Sequence, residues 1–231
     1  MTDPSVRRVD FGYFVRPAAE TGTGVPRVEP CLGYLIDHPD GLLLVDTGMG
    51  GPEPFVEAHY RPRRIPLAAA LKAAGAELAD IRYVTNCHLH FDHSGGNPEL
   101  AGRPVFTQRA ELAAARGEQD YTLPELVDPP GVSHVELDGE AEILPGVVVV
   151  PTPGHTAGHQ SVVVRCKDGT VIVAGQSHDH ALAFTGDVLA HRAHRDGVDQ
   201  PLPVPPRWVP RLLEFDPARV VFAHDNAVWE P

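Results

Sequence analysis

Short apolar runs alternate with turn-forming residues along most of the chain. Two runs rich in leucine and β-branched residues, at 28–36 and 41–45, flank the turn-prone sequence HPDG, and this pattern predicts a β-hairpin. The other runs that predict strands lie at residues 81–85, 104–107, 133–137, 147–150, 161–166, 170–174 and 219–222. The helix-forming sequences between them lie at residues 65–75, 108–116 and 208–215. Two strand-rich halves, each with helices, predict an α/β (α+β) protein with two sheets flanked by helices.

The length of the chain suits one domain with one continuous core. It has 231 residues, of which 42% are hydrophobic, and its 22 glycines and 24 prolines indicate many turns without low complexity. A proline-containing irregular stretch near residues 116–131 is predicted to cover a functional site. We therefore expect residues 1–231 to form a single domain.

The net negative charge of the chain argues against nucleic-acid and membrane partners. The chain carries 19 lysines and arginines against 31 aspartates and glutamates, a formal charge of −12, which repels phosphate backbones and anionic membrane surfaces. The N-terminal sequence MTDPSVRRVDFGYF lacks the apolar stretch of a signal peptide, and no run reaches the ~20 apolar residues that span a bilayer. We expect a cytoplasmic protein without nucleic-acid or membrane partners, and the oligomeric state stays open.

The three cysteines lie far apart, with no CxxC spacing, so they are expected to be reduced thiols. Cys87 directly precedes a histidine-rich sequence. It is interpreted as a small buried residue at a strand end, with a place in the lining of a site as the alternative.

A dense group of metal-binding residue types follows the predicted strand at 81–85. The sequence HLHFDH contains His88, His90, Asp92 and His93, and the sequence SGG comes directly after it. Glycines let a loop turn sharply, and imidazole with carboxylate suits zinc, manganese or iron. A chance cluster is the alternative, but functional residues concentrate on loops after strands. The pattern predicts a metal site.

HLHFDH resembles the HxHxDH signature of the metallo-β-lactamase superfamily. Three further sequences resemble motifs of that family in the family's order: LLLVDTG, PTPGHTAGHQS and FAHD. Together they extend from about residue 30 to residue 226. The resemblance implies a four-layer αββα sandwich, in which two mixed β-sheets are flanked by helices.

The resemblance also implies a ligand set. One metal would be held by His88, His90 and His155, and a second by Asp92, His93 and His224. Asp46 would lie behind a ligand histidine and fix its orientation and tautomer. The implied cofactor is zinc, one or two ions per chain, with manganese or iron as alternatives. Simpler interpretations are a turn cap for Asp46, ordinary loop residues for His155 and His159, and a core histidine for His224.

One position departs from the family pattern. The predicted strand TVIVAGQ ends in Gln176, where most dinuclear members of the family have an aspartate that bridges both metals. A neutral amide oxygen is a weaker ligand than a carboxylate. Asp179 or Asp187 could substitute, although a turn or helix cap is the favoured interpretation of Asp187. The resemblance therefore leaves open whether one or two ions bind.

The sequences GHQS and HDNAVW most resemble the N-acyl homoserine lactone lactonases. This implies a small-molecule substrate whose lactone or ester carbonyl is attacked by a metal-activated water, with Asp92 as the catalytic residue that orients the water and passes a proton to the leaving oxygen. Asp179 stands where these lactonases have a tyrosine that holds the substrate carbonyl. The alternatives are a glyoxalase-II-like thioesterase or a phosphotriesterase on the same scaffold, and a catalytically reduced metal-binding protein that binds a ligand.

Overall fold

The computed structural model describes residues 3–199 and 201–231, and these residues form two β-sheets flanked by helices. The strands are β1 (Ser5–Arg16), β2 (Arg27–Asp37), β3 (Leu42–Val45), β4 (Arg63–Arg64), β5 (Ile81–Thr85), β6 (Pro104–Gln108), β7 (Ser133–Leu137), β8 (Ala141–Leu144), β9 (Val147–Pro151), β10 (Gln160–Cys166), β11 (Gly169–Val173) and β12 (Pro217–Val221). The α-helices are α1 (Pro54–His59), α2 (Leu67–Ala73), α3 (Phe91–Ser94), α4 (Arg109–Gly117), α5 (Pro124–Val127), α6 (Ala181–Arg195) and α7 (Trp208–Leu213). Short 3-10 turns lie at Ala18–Glu20, Leu78–Asp80 and Asn97–Leu100.

Both sheets are mixed. The 7-stranded sheet has the order β4-β1-β2-β3-β5-β6-β7, in which β1, β2 and β3 pair antiparallel and β3, β5, β6 and β7 pair parallel. The 5-stranded sheet has the order β12-β11-β10-β9-β8, and its one parallel pair among the described strands is β11 with β12. The parallel pairs matter for function, because parallel neighbours end at the same edge of a sheet.

Side-chain alternation along the strands produces the layers. Along β2, Tyr34 and Ile36 face the second sheet, whereas Leu35 between them packs with Leu71 of α2 on the opposite face. Along β10, Val162 and Val164 face the first sheet, and Val163 packs with Phe184 of α6 and Leu212 of α7. Alternate residues of a strand point to opposite faces, so each sheet buries one face on the other sheet and one on helices. This confirms the four-layer αββα sandwich.

The predicted hairpin and most of the predicted strands lie within one or two residues of the observed elements, and β5 has the predicted bounds. The irregular stretch at 116–131 contains one short helix, α5. The pattern did not predict β1, because the charged residues Arg7, Arg8 and Asp10 interrupt its apolar positions. In the structure β1 pairs with β2, with an irregular register between Asp10 and Tyr13. Among the described residues, no helix combines the length and the apolar character needed to cross a bilayer.

Candidate metal centre

The segments that follow four strands converge at one edge of the sandwich. Asp46 follows β3, the HLHFDH sequence follows β5, Gln176 comes after β11 and His224 after β12. Backbone hydrogen bonds hold these segments together, from Asp46 N to Thr85 O (2.9 Å) and from Ala223 N to Gly175 O (2.9 Å). The two sheets are joined at the same edge by Leu32 N donating to Ala223 O (2.9 Å). Residues far apart in sequence therefore meet in one place.

Three histidines form the first group of candidate ligands. Ring nitrogens of His88, His90 and His155 all lie within 4.8 Å of one another, and His155 Nε2 is 3.2 Å from His90 Nδ1. His88 is fully buried, and its Nε2 has no hydrogen-bond partner among the described residues. A buried polar atom without a partner costs about 1–3 kcal/mol unless something else binds it. The first group thus contains a buried nitrogen, His88 Nε2, that is available to bind a metal ion.

The second group lies beside the first. His93 Nε2 is 3.2 Å from His224 Nε2, and Asp92 Oδ2 is 3.4 Å from both nitrogens. Gln176 Oε1 lies 3.3 Å from His224 Nε2, so the amide oxygen faces the same space as the carboxylate. His88 also belongs to this neighbourhood, since it forms a close set of ligand atoms with Asp92 and His93.

The charge states of these residues suit a divalent cation. Burial lowers the pKa of His88, and it lowers the pKa of His90 to about 4 and that of His155 to about 3. Neutral imidazole is the form that binds metals. Burial opposes ionisation of Asp92, but the neighbouring His93 and His224 hold its pKa well below the usual range. Burial opposes protonation of His93, but Cys87, Asp92 and Asp46 raise its pKa, so His93 must lose a proton when it binds a metal. The neutral imidazoles of the first group, the unpartnered His88 nitrogen and the ionised Asp92 carboxylate fit zinc.

Asp46 and Cys87 lie behind the candidate ligands. Asp46 adopts a left-handed backbone conformation with φ 59° after β3, which aims its Oδ2 at His93 Nδ1 (3.0 Å), while its Oδ1 accepts from Cys87 N (2.8 Å). Cys87 Sγ lies 3.1 Å from Asp46 Oδ2 and 3.2 Å from Nδ1 of both His88 and His93. These contacts engage Nδ1 of His88 and His93 and leave Nε2 of each ring facing the site. Residues that orient metal-binding histidines commonly contact them in this way.

His159 is used differently from the histidines above. Its Nδ1 lies 2.8 Å from Thr152 Oγ1 and 3.1 Å from Thr152 O, and its Nε2 accepts from Gln176 N (3.0 Å). Both ring nitrogens are therefore engaged within the protein. The backbone of Gln176 is fixed by this contact, which places residue 176 at the edge of the site.

The two carboxylates considered as substitutes for a bridging aspartate are both engaged elsewhere. Asp187 lies within α6 and pairs with His178 Nε2 (2.9 Å), so it is neither a turn residue nor a cap. Asp179 accepts from Arg27 (2.9 Å), and burial opposed by the Arg27 hydrogen bond leaves its pKa below the usual value. Both carboxylates are thus paired with other side chains, and Gln176 Oε1 lies toward His224.

A chain of ion pairs supports this arrangement. Glu29, with 2% exposure, pairs with both Arg16 (2.8 Å) and Arg27 (2.5 Å), and Arg27 continues to Asp179. Arg16 also lines the cavity over the candidate ligands. Single arginines and glutamates in a strand-rich segment carry no distinctive sequence pattern, so these ion pairs were not predicted.

A cavity of about 650 Å³ opens over the metal-facing residues. Its floor includes His90, Asp92, His155 and Gln176. The apolar and aromatic residues of its walls are Phe14, Phe55, Val56, Tyr60, Phe91, Tyr121, Leu123 and Pro124. Tyr121 and Leu123 come from the irregular stretch predicted to cover the site. The cavity thus joins a polar floor to apolar walls, the common form of a small-molecule site.

Comparisons with known proteins agree with this geometry. The sequence profile of the metallo-beta-lactamase superfamily matches residues 26–178. An N-acyl homoserine lactonase of Bacillus sp is 37% identical over 159 residues, which are 62% of this chain and 62% of that protein. A probable metallo-hydrolase of Mycobacterium tuberculosis is 28% identical over 194 residues, 72% of this chain and 59% of that one. The chain thus matches less than two thirds of the length of these curated relatives.

Solved structures extend the likeness over nearly the whole chain. An N-acyl homoserine lactone hydrolase with the product N-hexanoyl-L-homoserine at its catalytic metal centre has a TM-score of 0.75 and 26% identity, covering 98% of this chain and 95% of that one. A dizinc quorum-quenching lactonase with 15% identity has a TM-score of 0.69, covers 100% of this chain and 91% of its own, and shows the fold alone. The superfamily profile covers well over half of the chain, and the expected family is thereby confirmed: the protein belongs to the metallo-beta-lactamase superfamily.

Proposed function

We propose that this protein is a metal-dependent hydrolase that opens the ring of an N-acyl homoserine lactone or a similar small lactone. The observation that carries the proposal is the convergence of two groups of ligand atoms beside a cavity with apolar walls, whose lining includes His90, Asp92 and His155. The likeness to N-acyl homoserine lactonases in both sequence and structure supports the choice of lactones over other esters.

We assign the metal as zinc, with manganese or iron as alternatives. His88, His90 and His155 would hold one ion, and the ligands of a second would be Asp92, His93, His224 and the Gln176 oxygen. When bound, zinc acts as a Lewis acid and lowers the pKa of water toward neutrality. Asp46 and Cys87 would support the ligand histidines through their contacts at Nδ1.

Asp92 is the residue that we propose for proton transfer. Its carboxylate is ionised, lines the cavity and lies beside both groups of ligands. It accepts a proton from the attacking water as the new carbon–oxygen bond forms. It then returns that proton to the ring oxygen as the ester bond breaks, and the product is a hydroxy acid. The assignment rests on position, since a general base must lie within hydrogen-bond reach of the proton that it takes.

The apolar walls suit the acyl chain of the substrate. Phe14 and Leu123 line the cavity and are buried, whereas Phe55, which also lines it, is 62% exposed. Each buried methylene contributes about 0.8 kcal/mol. Zinc-supplemented protein is therefore expected to open N-hexanoyl homoserine lactone with a kcat/KM roughly tenfold above that for the N-butanoyl compound, since two methylenes differ.

The same assay distinguishes the other hydrolases of this scaffold. A matched thioester and a phosphotriester are compared with the lactones, and chelated protein serves as the control. Faster metal-dependent cleavage of the thioester or phosphotriester would replace the lactonase assignment. Binding of zinc and lactone without turnover would favour the catalytically reduced binding protein. Gln176 is the residue that supports this alternative, because its neutral amide is a weaker metal ligand than an aspartate.

Gln176 is expected to set the metal stoichiometry. Its amide oxygen lacks the charge of a carboxylate, so we expect wild-type protein to lose one of two zinc ions on dialysis. Gln176→Asp is expected to retain both ions and to tighten the second site by at least about tenfold, or about 1.4 kcal/mol. Elemental analysis and chelator titration measure both quantities.

Gln176→Asn is the matched control for this prediction, because it shortens the side chain equally and adds no charge. It is expected to bind the second ion no more tightly than wild type. Equal second-site affinities in Gln176→Asp and Gln176→Asn would show that the charge at residue 176 does not set the stoichiometry.

A further inference from the structure

Glu111 is a buried carboxylate that the proposed chemistry does not use. It lies in α4 with 1% exposure and has no ion-pair partner among the described residues. Three donors surround it instead. Its Oε1 accepts from Leu89 N (2.7 Å) and from the Tyr121 hydroxyl, and its Oε2 accepts from Thr156 Oγ1 (2.7 Å).

The three donors belong to three different parts of the site. Leu89 lies between His88 and His90 in the sequence, and Thr156 directly follows His155. One carboxylate therefore contacts both of the loops that supply the first group of candidate ligands. Those loops have no covalent connection near the site, so their separation depends on noncovalent contacts of this kind.

The third donor, Tyr121, belongs to the wall of the cavity. Its ring centroid lies 4.9 Å from that of His90, and the residue lines the cavity. With its hydroxyl bound to Glu111, the ring is fixed at both ends. Glu111 thus connects the wall above the floor to the loops that form the floor.

The backbone of the loop that carries His155 also packs closely against α4 at Glu111. A Cβ added at Gly158 would lie 2.1 Å from Glu111 N and 2.5 Å from Glu111 Cα. No side chain fits there without displacing backbone. The loop with His155 thus approaches α4 both through Thr156 and through Gly158, and Glu111 lies at the centre of this contact.

We propose that Glu111 is a positioning residue that sets the distance between the His88–His90 loop and the His155 loop and holds Tyr121 over His90. Its effect on zinc binding is independent of the substrate. Only its effect on catalysis rests on the proposed function.

The first test is zinc affinity, measured by chelator competition without substrate. Glu111→Ala removes all three acceptors and is expected to weaken the first zinc site by about 10- to 100-fold, as loss of outer partners does. Glu111→Gln keeps the shared oxygen for Leu89 and Tyr121, and its amide can donate to the Thr156 hydroxyl. It is therefore expected to bind zinc nearly as wild type does.

Glu118→Gln is the control, since it makes the same chemical change at an exposed position just after α4. It is expected to match wild type. Urea unfolding of each zinc-free variant gives the folded fraction. The proposal is wrong if folded Glu111→Ala binds zinc as tightly as wild type, or if Glu111→Gln loses as much affinity as Glu111→Ala.

Thr156→Val tests the same idea with a milder change, and it applies even where Glu111→Ala fails to fold. It removes one donor while preserving shape and is expected to weaken zinc binding about three- to tenfold, the usual effect of one hydrogen bond. Unchanged affinity in folded Thr156→Val would overturn the link between Glu111 and the His155 loop.

Tyr121→Phe distinguishes the effect of the Tyr121 contact from the effects of the Leu89 and Thr156 contacts. It leaves the Leu89 and Thr156 contacts in place, so zinc affinity is expected to stay at the wild-type value while KM for the lactone rises and kcat changes little. A fall in zinc affinity equal to that of Glu111→Ala would contradict this division. Absence of lactone turnover in wild type would contradict the proposed function and leave the zinc measurements valid.

Discussion

Replacing His88 and His90 together with alanine is expected to abolish zinc binding at the first site and lactone hydrolysis with it. These residues supply two of the three imidazoles in the first group, and the buried His88 Nε2 has no other partner among the described residues. Loss of even an outer partner of a metal ligand costs about 10- to 100-fold in affinity, so loss of two ligands is expected to cost more than about 100-fold. Zinc content and kcat/KM are measured on the same preparations.

The matched control is the double variant His191→Ala, His194→Ala, which removes two histidines from α6, outside the candidate centre. It is expected to keep the zinc content and turnover of wild type. Equal rates in wild type and in the His88, His90 variant would end the metal-dependent model. Loss of zinc from the α6 variant would show that histidine number alone governs metal content.

Asp92→Asn is expected to lower kcat by about 10²- to 10⁴-fold at saturating zinc, because an amide cannot accept and return the proton. The carboxylate lies in a buried setting where His93 and His224 keep its pKa well below the usual range. It is therefore ionised throughout the working pH range of a hydrolase. The amide has nearly the same shape, so KM is expected to change much less than kcat.

Zinc content must be measured beside the rate, because Asp92 is also a candidate ligand of the second ion. Asp138→Asn makes the same change at an exposed position, where the carboxylate pairs with Arg109 at the surface (3.1 Å). Exposed pairs contribute little, so that control is expected to behave as wild type. A zinc-replete Asp92→Asn protein with wild-type kcat would exclude the carboxylate from proton transfer.

Local pattern was enough to predict the elements whose signals are contained in a few residues. The hairpin at HPDG and the strand β5 followed from apolar runs and turn residues, and the family resemblance supplied the order of the layers. β1 was not predicted, since its pairing with β2 depends on residues about 30 positions away, as in Ser5 with Asp37. Strand pairing over such distances has no local signature.

The residues of the candidate site also divide into those that a local sequence pattern indicates and those that only the folded structure brings in. Motifs located the histidines, Asp92 and Gln176, because their residue types are chemically distinctive and their spacing is fixed. Glu111 has the appearance of a surface residue in an alanine-rich helix, and nothing in its neighbours indicates that it is 1% exposed. Cys87 was expected to be buried, and it is, but its contacts with both His88 and His93 depend on the folded loop.

The parallel pairing of β11 with β12 has a consequence for biosynthesis. His93 and His224 are 131 positions apart, and the pairing of β12 with β11 brings them together. A nascent chain that has released HLHFDH from the ribosome still lacks a residue of the second ligand group. Contacts this distant form late, because the intervening chain must first be ordered. Completion of the second ligand group is therefore expected to wait until β12 and His224 have been synthesised, which would keep a partly made chain from trapping a second ion in an incomplete site.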